Sequence, residues 1–186
     1  MKRLFSFLVV FCLSVGIALA AYDTPAANSQ AKNDSKMGVP QASSPEFNRV
    51  KEWVGKWEGD SNGHGKTEKV SIEYTVTSGG TAVEEKLFAG TPHEMVSMYY
   101  DNKNGKVGMT HFCMLGNRPH LELKSSDAGK MDFDWIPGGG VDPNEMHMHS
   151  LSIAITDKNH ITQSWKAYNN GKPMDETTVI ALTRVS

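Results

Sequence analysis

From about residue 56 onward, apolar and polar residues alternate along the chain, and the alternation breaks at short intervals at glycine, proline, asparagine and aspartate. A period of two sends successive side chains to opposite faces of an extended segment, so each run reads as a strand with one buried face. Val70, Ile72, Tyr74 and Val76 alternate with Ser71, Glu73, Thr75 and Thr77, a half-buried antiparallel strand. Further strands are expected near 56–62, 81–89, 94–100, 106–113, 120–125, 131–136, 146–156, 160–168 and 177–185. Turn-forming residues separate them: Ser78-Gly79-Gly80, Asn104-Gly105, Asp127 to Gly129, Pro137 to Gly140, Asp157 to Asn159 and Asn169 to Gly171. Short links imply a meander of roughly ten strands, and closure removes its exposed edges. The expected fold class is therefore all-β, a roughly ten-stranded antiparallel meander closed into a barrel. A two-sheet sandwich is the alternative, since it shares these cues.

Before the first strand the period changes. In PEFNRVKEWVGKW, Phe47, Val50 and Trp53-Val54 recur at helical spacing, with Ser44 as N-cap before Pro45 and Gly55 as terminator. This predicts a short N-terminal helix over about 46–54, placed to close one end of the domain.

Residues 1–20 read as a secretory signal: Lys2-Arg3, an apolar run from Leu4 to Ile17, then Ala18-Leu19-Ala20. The run is shorter than the roughly 20 apolar residues a spanning helix needs, so no integral membrane segment is expected after cleavage. The expected location is secreted or periplasmic. Residues 21–45, rich in Ala, Ser, Asn, Gln, Lys and Pro, read as a flexible linker, and residues 46–186 as the one folded domain. Cleavage removes Lys2 and Arg3 and no acidic residue, taking the formal charge from −2 to −4. A mildly acidic domain without a basic patch argues against a nucleic-acid partner. Cleavage also removes Cys12 and leaves Cys113 as the single cysteine, so no internal disulfide is expected.

Parity then points polar groups inward. With Lys106 facing solvent after the Asn104-Gly105 turn, Val107, Met109, His111 and Cys113 share the interior face. Counting back from Leu151, Ile153 and Ile155 places His149 and His147 inward. By the same count Val83 and Leu87 bring Glu85, Val96 and Met98 bring Glu94, and Ile161 and Trp165 bring Gln163. Buried polar groups need partners, because an unsatisfied one costs roughly 1–3 kcal/mol. One reading is a hydrogen-bonded interior network of Glu85, Glu94, His111, Cys113, His147, His149 and Gln163. Together with Met109 and Trp165 it would bind and orient a small, largely apolar molecule. The other is a metal site built from His111, His147 and His149, holding zinc or haem iron; with an open position on zinc it would permit hydrolysis. No zincin, CxxC, phosphate-cradle, nucleophile-elbow or dinucleotide motif occurs, so a binding protein is expected over an enzyme.

Gly55-Lys56-Trp57-Glu58-Gly59, following a helix and leading into an all-β meander, resembles the calycin-like barrels: lipocalins, fatty-acid-binding proteins and nitrobindin. LFAGTPHEMVSMYYDNKNGKV, continuing into THFCMLGNRPH, resembles an uncharacterised branch of bacterial secreted proteins with that barrel. The resemblance spans about residues 46–186 and implies a calycin-like barrel that holds something small. Nitrobindin-like barrels hold haem through a histidine near the C-terminus; this chain has no histidine after His160.

Overall fold

The computed structural model describes residues 43–186 apart from positions 64 and 103. The expected signal segment and nearly all of the expected linker lie outside the described residues. Helix α1 spans Pro45–Lys51, and ten strands follow: β1 Gly55–Gly63, β2 Lys66–Thr77, β3 Ala82–Leu87, β4 Met95–Asp101 and β5 Val107–Phe112, then β6 His120–Asp127, β7 Lys130–Trp135, β8 His147–Asp157, β9 His160–Asn169 and β10 Lys172–Arg184. Every strand pairs antiparallel with its sequence neighbours, and β1 pairs with β10, so the sheet closes into a barrel rather than a sandwich.

Helix α1 begins as its sequence dictates. The Ser44 side chain accepts the Phe47 N–H at 3.0 Å, and Pro45 follows in the first turn, where its missing N–H is no loss. Ser44 also donates its hydroxyl to Asp101 Oδ1 at 2.5 Å and its N–H to Oδ2 at 2.8 Å, which pins the helix to the end of β4. Phe47, Val50 and Trp53 are buried beneath it. Trp53 meets Tyr74 and Tyr99 edge-on, with ring centroids 5.9 and 5.7 Å away, so α1 stoppers one end of the barrel with aromatic surface.

The Gly55-to-Gly59 motif has a physical reason at the seam. Trp57 is fully buried and donates its indole N–H to Trp53 O at 2.8 Å. A Cβ on Gly59 would stand 1.8 Å from Ala181 O on β10, so only glycine lets β1 close against the last strand. At the opposite end, the loop after β7 is tied down. His120 N–H donates to Gly139 O and so does the Trp135 indole, while Gly140, at φ +76°, lies where a Cβ would strike Arg118 O at 2.1 Å.

Two parity expectations fail. In β4, Met95, Ser97 and Tyr99 pair with Leu87, Glu85 and Val83, so Ser97 and Tyr99 face inward while Val96 and Met98 face out. Glu94 therefore does not line the interior: it is exposed and accepts the Gly90 N–H at 2.8 Å. In β8 the ladder to β9 shifts register between Met148 and Ser150. Leu151 stands opposite Trp165, but across the bulge Met148 stands opposite Ala167 and His147 opposite Tyr168. The extra residue exchanges the faces, as a bulge does. Met148 takes the inward place beside Trp165 and Ala167, His149 stacks on Tyr168, and His147 stays buried against Trp135.

Candidate functional site

Register builds the interior site. Tyr74 on β2 stands opposite Glu85 on β3, Glu85 opposite Ser97 on β4, and Ser97 opposite His111 on β5. Four inward polar side chains thus form one row across four neighbouring strands. From the far wall β9 contributes Gln163 and, two residues on, Trp165. Tyr74, Glu85, Ser97, Tyr99, His111, Gln163 and Trp165 are all buried.

Hydrogen bonds join the two walls. Tyr74 donates its hydroxyl to Glu85 Oε1 at 2.5 Å, and Tyr99 donates to Oε2 at 3.0 Å. Gln163 Nε2 donates to Tyr74 Oη at 2.6 Å and to Glu85 Oε1. Trp165 Nε1 donates to Gln163 Oε1 at 2.8 Å. An indole N–H can only donate, so Trp165 fixes the amide: its oxygen faces the indole and its NH2 faces Glu85 and Tyr74. Burial pushes the Glu85 carboxyl above its ordinary range, and hydrogen bonds from Tyr74, Gln163, Ser97 and Tyr99 oppose that rise. Burial beside the Glu85 charge raises both the Tyr74 and the Tyr99 phenols well above their usual value, which keeps them protonated donors.

His111 ends this network. Its Nδ1 lies 3.0 Å from Ser97 Oγ, its ring centroid lies 4.8 Å from that of Trp165, and burial lowers its pKa to about 4. Its Nε2 is buried without a hydrogen-bond partner. Trp165 also lines a small cleft of about 30 Å³, together with Met146, Met148, Ala167, Met174, Glu176 and Thr178. That cleft lies toward the barrel end away from α1, and its walls are mostly apolar.

The expected site residues therefore divide. Glu85, His111, Gln163 and Trp165 come together, with Met109 buried in the row adjoining His111. Cys113 lies just past the end of β5, in a turn closed by its N–H on Asn117 O, where burial raises its thiol pKa. His147 and His149 form a separate group. His147 Nδ1 lies 2.7 Å from Glu145 O, its Nε2 lies 3.0 Å from His149 Nδ1, and His149 stacks on Tyr168 at 3.6 Å. His111 therefore does not join His147 and His149, and among the described residues no three His, Cys, Asp or Glu side chains converge as metal ligands. The three histidines are not brought to one point: His147 is buried but turns to Glu145 O and His149, and His149 to Tyr168. Sequence reasoning missed Tyr74, Ser97 and Tyr99. Tyr74 carried a usable signal, since its phenol falls on an inward face and a buried phenol needs a partner.

No family model matches the chain, and no curated protein does. Among solved structures the barrel is similar to Rv2717c from M. tuberculosis: 13% identity, TM-score 0.54, covering 78% of this chain and all of that one. It is also similar to a protein of unknown function from the DUF3598 family of Nostoc punctiforme PCC 73102, at 10% identity and TM-score 0.52. That match covers 73% of this chain, which spans about half (49%) of the Nostoc protein's length. At these identities the likeness is one of fold. Among the described residues no helix is long and apolar enough to cross a membrane.

Proposed function

We propose that this is an exported, calycin-like barrel that binds a small, largely apolar molecule at the end away from α1, with His111 as the group that orients it. One observation carries the reading: the buried His111 Nε2 has no partner, although the polar groups linked to it are paired. An unmade hydrogen bond in a packed interior is costly, and its repeated place is at sites completed by something else. The cleft beside Trp165 matches the chemistry of small-molecule pockets, mostly apolar with few convergent polar atoms. Glu85, Tyr74, Tyr99 and Gln163 support the site from behind by fixing the wall against which Trp165 rests.

Native mass spectrometry of gently purified protein tests this. The expected result is a bound organic mass on the wild type that is absent from His111→Phe, while circular dichroism shows the same all-β spectrum for both. Equal bound mass on both proteins, or bare protein alone after incubation with lipid extract, would remove the reading. Export is tested by the N-terminus of protein recovered outside the cytoplasm, expected at or near Ala21.

A further inference from the structure

We infer that the cleft between β8, β9 and β10 is a thioether site for a soft monovalent cation, Cu(I) or Ag(I), held by Met146, Met148 and Met174 beside Trp165. This is independent of the His111 reading above, because it rests on other side chains and a different ligand chemistry.

Strand register gathers the three methionines around one gap. Trp165, buried on β9, stands opposite Leu151 on β8 and Thr178 on β10. Two residues on, Ala167 shares the face of Trp165. Met148 on β8 stands opposite Ala167, and Met146, two residues earlier, borders the same cleft. On the other flank of β9 the ladder to β10 is interrupted between Pro173 and Thr177, and Met174 lies in that interruption. Ala167 contributes only a methyl group, so the space between Met148 and Met174 stays open. Its volume of about 30 Å³ has room for one ion or a water.

Exposure separates these methionines from those that only fill space. Met109 and Met131 are fully buried in the core. Met146, Met148 and Met174 are each half-buried and line a cleft. Leucine would cover the same surface and lose less rotamer freedom. What methionine adds is a polarizable sulfur with a lone pair. Thioether sulfur is a soft, neutral ligand, and such ligands favour Cu(I) over the harder divalent ions. Hard cations are poorly matched here. Ca2+ and Mg2+ take oxygen ligands in number, and the side chains of this wall offer oxygen only from Thr178 and Glu176. Trp165 adds an indole, the best side-chain partner for a cation at its face.

Ag+ is the probe, since it shares the ligand preference and needs no reductant. Silver nitrate is titrated in chloride-free buffer into the full chain labelled with 13C at the methionine methyls. The expected result is saturation at one equivalent. The methyl resonances of Met146, Met148 and Met174 should shift, and those of Met109 and Met131 should stay. Met148→Leu and Met174→Leu conserve volume, so circular dichroism should be unchanged. Each should weaken Ag+ binding at least about tenfold, a loss that even partners behind a metal ligand can cause. A thioether carries no proton for the ion to displace. Affinity should therefore be equal at about pH 5.5 and about pH 7.5, where a histidine site would differ about tenfold. Unmoved methyls of Met146, Met148 and Met174 overturn the inference. So does undiminished affinity in the double variant Met148→Leu/Met174→Leu, which would put the ion on Cys113 or on His147 and His149. Either result leaves the organic-mass test of His111 standing.

Discussion

Three groups, Tyr74, Tyr99 and Gln163, hydrogen-bond to Glu85 and none of them is a cation, so its replacement orphans donors rather than breaking an ion pair. Glu85→Leu should lower unfolding stability in urea by roughly 1–3 kcal/mol for each donor left buried and unpaired. Tyr99→Phe should be destabilising in the wild type, yet partly restore stability to Glu85→Leu by removing one orphan. Additive effects would show that the hydrogen bonds contribute nothing specific. His111 makes a separable pH prediction. Its pKa is about 4 in the folded protein against the ordinary 6.5, so between those values the unfolded chain binds the extra proton. Stability is then full above pH 6.5 and falls as pH drops toward 4, by roughly 3 kcal/mol in all. The slope of wild type minus His111→Phe isolates this effect from that of Glu85, and a flat difference over pH 4–6.5 would contradict it. Glu85, His111, Gln163 and Trp165 were legible in the sequence because unambiguous aliphatic neighbours fixed their face. Ser97 and Tyr99 were not, since MVSMYY puts apolar residues on both faces and hides which one is buried.

The helix and the strands were legible for different reasons. Ser44 and Pro45 announce the start of α1 through local chemistry, and the same serine then makes a tertiary link to Asp101 that no local rule contains. Ser44→Ala should lower stability by about 1 kcal/mol through loss of the cap, and by more than that if the hydroxyl bond to Asp101 also contributes. Adding Asp101→Asn to Ser44→Ala should change little further at that bond, whereas in the wild type it should be destabilising; urea denaturation of the four proteins measures this. Strand positions followed from turns, and strand faces from parity, but parity survives only while pairing is continuous. The β8 bulge leaves no mark in HMHSLSI: two histidines and a serine fit either face, and the shift depends on how β9 lies alongside. With that one inserted residue His147 stays buried but pairs with His149 and Glu145 O, away from His111.

Closure of the barrel was expected from the number of strands and the shortness of their links, without any indication of what fastens the last strand to the first. Beside the β1–β10 ladder, Arg184 stands at that seam. Its guanidinium donates to Val54 O at 2.5 Å, Glu52 O at 2.7 Å and Lys158 O at 2.9 Å, and it lies over the Trp57 ring at 4.2 Å. One planar group thus joins the segment after α1, the β8–β9 turn and the core tryptophan of β1, next to the backbone pairing of Lys56 with Val185 and Ser186. Charged donors on carbonyls contribute more than neutral ones, but these lie at the surface, so Arg184→Ala should lower stability by about 1–3 kcal/mol. Arg184→Lys should recover only part of it, because a single ammonium cannot span three carbonyls on separate segments or stack as a plane on the indole. Amide exchange locates the effect. In Arg184→Ala the Lys56 and Val185 amides should exchange faster relative to global unfolding, while those of β5 to β7 keep pace with it. Equal acceleration across all ten strands would mean that Arg184 contributes to overall stability without fastening the seam.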